Sequence, residues 1–379
     1  MIFRDIMATL MVKVDLMAAT DYRQCFQSKQ SFPMTLGGIL PEIGIAYETW
    51  GTLNSERSNA VLLFPGLSAS AHAKSHDRDD GPGWWEAILN EGHGLDYGKF
   101  FIICFDHLGG CSGSTGPASI NPESGTPYGP EFPPLMLQDI VAAAHMVVTG
   151  LGIEKAYCAL GASMGGMLAL EYAARYPESL ERMIMISASG RPGAQSIAYR
   201  YVQRQVILAD PFYHDGWYYD QPTKPLKSLA VARQIGNITY RSTQEFRERF
   251  GRSRTLNGYN FGPDFQVESY LHHMGSKLAD NFDANSFLFL SKAMDLYSLG
   301  YGFPSYEKGV ARIKAKSLII SISSDCLFPA EEQKEVYDIL EQAGRDVAYR
   351  VLESPSGHDA FLVEVDFFER VIHDFLAKS

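Results

Sequence analysis

The sequence predicts an α/β protein built on a mostly parallel sheet, with a long helical insertion. Three observations carry this. Short apolar runs alternate with helix-period stretches up to about residue 190 and again from about residue 317 onward. Two of the runs, Ala60–Phe64 and Phe100–Phe105, are apolar at every position, as central strands covered on both faces must be. Between about residues 191 and 310 the alternation stops and helical periodicity takes over.

The elements follow in order. Ile43–Trp50 is a strand that runs into a turn at Gly51–Asn54. Ala60–Phe64, Phe100–Phe105, Tyr157–Leu160, Met183–Ile186, Ser317–Ser323 and Val347–Leu352 continue the strand series. Leu137–Val148, Met167–Tyr176 and Ala330–Gln342 are the intervening helices. Inside the insertion, Ala194–Ala209, Leu226–Ile235, Thr243–Phe250, Val267–Phe282 and Phe287–Leu296 carry helical patterning. The expected division is a loosely ordered N-terminal extension over 1–30, a sheet domain from 31–190 and 311–379, and a helical lid over 191–310. A lid in that place excludes water and shapes a pocket. An auxiliary subdomain without a part in the chemistry is the alternative.

Composition narrows the class. The chain has 379 residues, 46% of them hydrophobic and 20% charged, which suits a soluble globular protein with an ample core. A net charge of −11 repels nucleic acid and anionic lipid, so neither is an expected partner. Arg4, Asp5, Lys13 and Asp15 break up the apolar N-terminal run, which leaves no membrane span and no clean signal-peptide core. Cys25, Cys104, Cys111, Cys158 and Cys326 are odd in number and scattered, without a C-x-x-C pair. That spacing indicates neither a zinc site nor a disulfide scaffold, and a reducing cytoplasm is the simplest compartment.

The chemistry concentrates at Gly161-Ala162-Ser163-Met164-Gly165, between an apolar strand and a helix-forming run. A G-x-S-x-G in that setting places the serine on a sharp strand-to-helix turn with its hydroxyl exposed. The glycines remove Cβ atoms that would clash there, and the helix start offers free N–H groups to negative charge forming beside the hydroxyl. A nucleophilic serine needs a base and an orienting acid. Asp325 stands just past the strand Ser317–Ser323, and His358 lies on the loop after Val347–Leu352. Taken singly, each is a turn, cap or surface residue. Together, each at a strand end and in the order serine, acid, histidine, they read as a catalytic triad.

Other constellations are weaker. His72 and His76 stand four apart, but Ala73 occupies the place of the glutamate in H-E-x-x-H, and no metal site is expected. Asp77, Asp79 and Asp80 lack the spacing and closing glutamate of a calcium loop. Gly110, Gly113 and Gly116 do not form a dinucleotide fingerprint. Trp84-Trp85 reads as core.

Longer motifs carry a resemblance. They are Leu108–Pro122, Thr126–Gly129, Gly161–Gly166, Gln203-Arg204-Gln205, Phe282–Ser286 and Gly357–Leu362. Together they resemble the homoserine O-acetyltransferase family of α/β-hydrolase-fold acyltransferases, over nearly everything from residue 32 onward. The resemblance implies an α/β-hydrolase fold and a ping-pong acyl transfer from acetyl-CoA to the hydroxyl of a small amino acid. It implies Ser163 as nucleophile, His358 as base, Asp325 as orienting acid, and the backbone N–H groups of Leu67 and Met164 as oxyanion hole. It also implies acceptor binding by Arg233, Tyr240 and Asp359, no permanently bound cofactor, and a homodimer formed through the helical lid. Gly109-Gly110 resembles the acetyl-using members rather than the succinyl-using ones. The loop Gly66–His76 and the stretch Ser196–Arg200 look more like the branch that acylates L-serine, so L-homoserine and L-serine both stand as acceptors. O-succinyl transfer and a plain esterase or thioesterase remain the alternatives.

Overall fold

Eight strands form one sheet in a computed structural model that describes residues 22–77, 81–255 and 261–377. They are β1 (Gln24–Ser28), β2 (Ile43–Trp50), β3 (Ala60–Phe64), β4 (Phe101–Phe105), β5 (Ala156–Ala162), β6 (Leu180–Ile186), β7 (Lys316–Ile322) and β8 (Val347–Leu352). Their order across the sheet is β1-β2-β4-β3-β5-β6-β7-β8. β2 pairs antiparallel with both β1 and β4, and every other pairing is parallel. The parallel pairings run their carboxyl ends to one edge, where open α/β sheets build their sites.

Alternation along the central strands divides the core in two. On β3, Ala60, Leu62 and Phe64 face one layer, while Val61 and Leu63 face the other. On β4, Ile103 and Phe105 oppose Ile102 and Cys104 in the same way. The first layer is closed by α1 (Leu137–Gly150), α2 (Met164–Arg175), α7 (Ala284–Leu296) and α9 (Ala330–Gln342). The second is closed by α10 (Val365–Ala377) and the segment around Trp85–Leu95. Each fully buried leucine, isoleucine or phenylalanine of these strands contributes about 1.5–3 kcal/mol.

Between β6 and β7 lie α3 (Ala194–Leu208), α4 (Leu226–Thr239), α5 (Thr243–Arg249), α6 (Gln266–Ala279), α7 and α8 (Tyr306–Val310). Ile207, Leu229, Ala232, Leu278 and Phe287 give α3, α4, α6 and α7 a small apolar centre of their own.

Two expectations need correction. Residues 24–28 are not loose: they form β1, paired from Gln24↔Tyr47 to Ser28↔Ile43. Arg23 anchors its start by donating to Ser112 O at 2.8 Å and to Glu48 Oε1 at 3.2 Å. The segment Gln-Cys-Phe-Gln-Ser has no pattern of its own, and the antiparallel edge of β2 supplies its order. The rest of the expected extension, residues 1–21, lies outside the described residues, as do Asp79 and Asp80. The second correction concerns α2, which begins at Met164 rather than Met167. Gly165 and Gly166 therefore sit in its first turn, pressed on the sheet. A Cβ at Gly165 would come within 2.0 Å of Phe64 O, and one at Gly166 within 2.6 Å of Ala188 Cβ. The glycines serve helix–strand proximity, and helix propensity yields to it.

All five cysteines are free thiols. Among the described residues no helix is long and apolar enough to cross a membrane.

Candidate active site

Ser163 is the last residue before α2 and the first after β5. Its backbone stands at φ 58°, ψ −128°, a region that costs a non-glycine residue about 1–3 kcal/mol. The surroundings hold it there. Ser163 N donates to Ile186 O at 3.0 Å, and Ser163 O accepts from Gly166 N and Met167 N at 2.9 and 3.1 Å. Gly161 makes the turn possible, since a Cβ there would meet Gly165 C and O at 2.4 Å. The side chain is half-buried, not sealed, which leaves the expected nucleophile accessible.

The acid and the histidine meet across neighbouring strands. Asp325 follows β7 and His358 follows β8, at the same edge of the sheet as Ser163. His358 Nδ1 lies 2.7 Å from Asp325 Oδ2. Asp325 Oδ1 accepts from Leu327 N at 2.8 Å and Phe328 N at 2.9 Å, which fixes the carboxylate plane. An aspartate acceptor at Nδ1 puts the ring proton there and leaves Nε2 as the basic nitrogen. The imidazole is buried among Phe328, Phe361 and Tyr240, with ring centroids at 5.3, 5.7 and 5.8 Å. Burial opposes its protonation, but the Asp325 charge and hydrogen bond outweigh burial and hold its pKa above the usual histidine range.

The predicted oxyanion loop has a support that the sequence did not reveal. His107, just past β4, lies with Nε2 at 3.1 Å from Gly66 O. A carbonyl only accepts, so Nε2 is the protonated nitrogen. Burial pushes the His107 pKa down to about 4, which keeps the ring neutral at physiological pH. Gly66 O and Leu67 N belong to one trans peptide unit, so a donor holding the oxygen turns the N–H the opposite way. Nothing in Phe105-Asp106-His107 marks this role except the position of His107 at a strand end.

The expected acceptor residues come together beside the Asp325–His358 pair. Tyr240 closes the C-terminus of α4 with its ring beside His358, and the Arg233 guanidinium stands over that ring at 5.1 Å. Arg233 Nη1 donates to Ser68 Oγ at 3.2 Å, tying α4 to the loop that carries Leu67. Its Nε is buried without a partner among the described residues. Asp359 does not use its side chain as a helix cap. Its Oδ2 pairs with Arg241 Nη2 at 3.1 Å, so its charge is shared with a protein cation.

His72 and His76 converge on a residue with which the sequence did not link them. Glu48 Oε2, on β2, lies 2.9 Å from His72 Nδ1 and 3.1 Å from His76 Nε2. Burial would raise the Glu48 pKa, but hydrogen bonds from both histidines and the charges of His72 and Arg23 hold it below the usual range. His72 Nε2 is 2.8 Å from Gly81 O, and His76 is stacked between Tyr22 and Trp50. The group ties the N-terminal edge strand to the loop after β3. Trp84 and Trp85 stack on each other, Trp85 within the core, as expected.

Comparison with known proteins fixes the family. The α/β-hydrolase-fold family matches residues 59–365. Homoserine O-acetyltransferase of Deferribacter desulfuricans is 43% identical over 354 residues, covering 92% of this chain and 94% of that protein. The chain belongs to the homoserine O-acetyltransferase family. Relatives in the family differ in their substrates: serine O-succinyltransferase of Litchfieldella anticariensis is 45% identical over 366 residues, covering 95% of this chain and 99% of that one. The solved homoserine O-acetyltransferase of Bacillus anthracis superposes with a TM-score of 0.87 at 27% identity, covering 94% of this chain and 98% of that one. Esterase E22 superposes with a TM-score of 0.86 at 28% identity, covering 93% and 99%. The resemblance read from the motifs and the expected α/β-hydrolase fold are both borne out.

Proposed function

We propose that this protein is an acyl-CoA-dependent amino-acid O-acyltransferase that moves acetyl from acetyl-CoA to the side-chain hydroxyl of L-homoserine through an acyl-Ser163 intermediate. The observation that carries the reading is the His358–Asp325 pair at 2.7 Å, at the same sheet edge as the strained Ser163. Ser163 Oγ attacks the thioester carbon as His358 Nε2 takes its proton, and the C–S bond breaks as that proton passes to the departing CoA thiolate. The acceptor hydroxyl then attacks the acyl-serine, giving its proton to His358, which returns it to Ser163 Oγ. The N–H groups of Met164 and Leu67 receive the oxyanion in both halves, each worth about 3–4 kcal/mol in the transition state.

Arg233 is read as the clamp on the acceptor carboxylate, and Tyr240 as the floor beneath it. Asp359 takes the acceptor ammonium only by sharing its carboxylate with Arg241. Replacing Arg233 with alanine is expected to raise the KM for the amino acid about tenfold or more, the scale of one charge-assisted bond. The acetyl-CoA KM should move far less. Steady-state titration of each substrate measures this, and equal shifts would remove the clamp role.

A plain esterase is the second reading, favoured by the likeness to esterase E22. CoA release from acetyl-CoA, assayed with and without L-homoserine and L-serine, separates the two: release independent of acceptor would establish the hydrolase. A cytoplasmic homodimer completes the proposal. Tyr201, Val202 and Leu208 on α3 and Val231 and Ile238 on α4 are exposed apolar side chains, a surface suited to a second copy. Light scattering at micromolar concentration should give twice the chain mass, and a monomer would end that part of the reading.

The elevated His358 pKa sets the pH profile. Protonated imidazole cannot accept the Ser163 proton, so activity falls as pH drops through this pKa. The acid limb of kcat/KM for acetyl-CoA is therefore expected above pH 6.5, the ordinary histidine value. A limb well below that value would show that the Asp325 charge does not govern the base.

A further inference from the structure

The loop between β3 and β4 and the strand β2 enclose a second cluster of titratable side chains, outside the proposed reaction. Ala73 stands where H-E-x-x-H has its glutamate, but folding supplies a carboxylate from β2 in its place. The side chains of Glu48 and His76 are 4% and 7% exposed, so an unbalanced charge there is costly. Glu48 Oε2, His72 Nδ1 and His76 Nε2 lie within 4.8 Å of one another. Both histidines meet the same carboxylate oxygen, at 2.9 and 3.1 Å, while Arg23 holds the other, Oε1, at 3.2 Å. The Arg23 charge is answered in turn by Asp106, whose Oδ2 lies 4.0 Å from Nη1 and is buried without a hydrogen-bond partner among the described residues. Lys74, between the two histidines in sequence, turns its ammonium to Glu86 at 2.9 Å.

The proton positions leave a demand at the centre. His72 Nε2 is 2.8 Å from Gly81 O, and a carbonyl only accepts, so that nitrogen carries the proton. Nδ1 of neutral His72 then turns a lone pair on the Glu48 carboxylate, itself an acceptor, at 2.9 Å. Such a contact needs an electron-pair acceptor between the two atoms: a second ring proton or a metal ion. The surroundings are those of a metal ligand set. A backbone carbonyl on the remote ring nitrogen fixes the tautomer and aim of a metal-binding histidine. His76 is clamped between the rings of Tyr22 and Trp50, at centroid distances of 4.3 and 4.9 Å, so its edge and not its face meets Glu48. A tetrahedral ion with bonds of about 2.0–2.1 Å spaces its ligand atoms about 3.3 Å apart, close to both separations from Glu48 Oε2. Two imidazoles with one carboxylate suit zinc and its neighbours, whereas magnesium and calcium call for oxygen ligands throughout.

We infer that Glu48, His72 and His76 bind one divalent transition-metal ion of the zinc class, with water completing the tetrahedron. Each histidine binds as neutral imidazole, so the ion replaces the proton that otherwise bridges ring and carboxylate. Its place makes it a clasp of the fold. It joins β2, and through Arg23 the start of β1, to the loop that runs from Leu67 to His76. Ala71 N on that loop donates to Asp106 Oδ1 at 2.7 Å, which holds the loop from the β4 side as well. The ion is structural and takes no part in the steps proposed at Ser163.

The test uses the full chain, stripped of metal with a chelator and titrated with cobalt and with zinc at neutral pH. Cobalt should bind at one equivalent per chain with the visible bands of a tetrahedral ion, and zinc should displace it with micromolar or tighter affinity. Zinc should also raise the melting temperature. His76→Phe keeps the aromatic stack and removes one ligand atom, while Glu48→Gln keeps the shape and removes the charge. Each should weaken zinc binding at least tenfold and lose the cobalt bands, whereas His358→Ala should keep both. No uptake at millimolar zinc shows that protons alone join the three groups, and overturns the site. So does binding that survives in both variants or is lost in His358→Ala alone. Should neither variant fold, X-ray absorption at the zinc edge of the wild-type protein decides: two imidazoles with carboxylate oxygen uphold the site, and sulfur or a single imidazole overturns it.

Discussion

Ser163→Ala is expected to lower kcat/KM for acetyl-CoA by at least about 10⁴-fold and to abolish the covalent acyl-enzyme. The fold should survive, because the elbow is held by backbone bonds: Ser163 N to Ile186 O, and Gly166 N and Met167 N to Ser163 O. None of these needs the hydroxyl. Stability then separates two substitutions of equal inactivity. Alanine keeps the strain of φ 58°, whereas glycine relieves it. The relief, about 1–3 kcal/mol, exceeds the entropic cost of glycine, about 0.5–1 kcal/mol, so Ser163→Gly should melt above Ser163→Ala. Thermal unfolding of the pair measures this. An alanine variant that melts higher would mean that the elbow stores no strain, and an alanine variant that still accumulates acyl-enzyme would remove Ser163 from the mechanism.

Asp325→Asn is expected to reduce the same rate constant about 10⁴-fold while leaving the secondary structure intact. The two N–H groups of Leu327 and Phe328 point at Oδ1 and require an acceptor. Asparagine meets that demand only with its carbonyl oxygen toward them, which turns its amide N–H toward His358 Nδ1. The ring must then accept at Nδ1 and carry its proton on Nε2, the nitrogen needed as base. The negative charge that holds the His358 pKa up is lost as well, so the residual activity should show its acid limb at lower pH. A loss smaller than about tenfold would show that some other group orients the imidazole.

Much of this was legible in the sequence because local chemistry dictated it. G-x-S-x-G between an apolar run and a helix former admits few conformations, and the strand runs around it are apolar on both faces because both faces are covered. The order Ser163, Asp325, His358, each beyond a strand, followed from the same reading. Other features had no local signature. β1 is ordered by its partner strand, not by its own residues. His107 and Glu48 became meaningful only when folding brought them against Gly66 and against His72 and His76.

The chain by itself therefore determined the α/β sheet, the strained strand-to-helix elbow at Ser163 and the placing of Asp325 and His358 beyond strand ends, since these depend on periodicity and on turn stereochemistry that neighbours in sequence impose. Tertiary structure alone decided the pairing of Asp359 with Arg241 and the support of the Leu67 loop by His107. Hydrogen-bond satisfaction is a property of atoms a few ångströms apart in space, and residues brought together from positions distant in the chain leave no period or motif in the sequence to announce it.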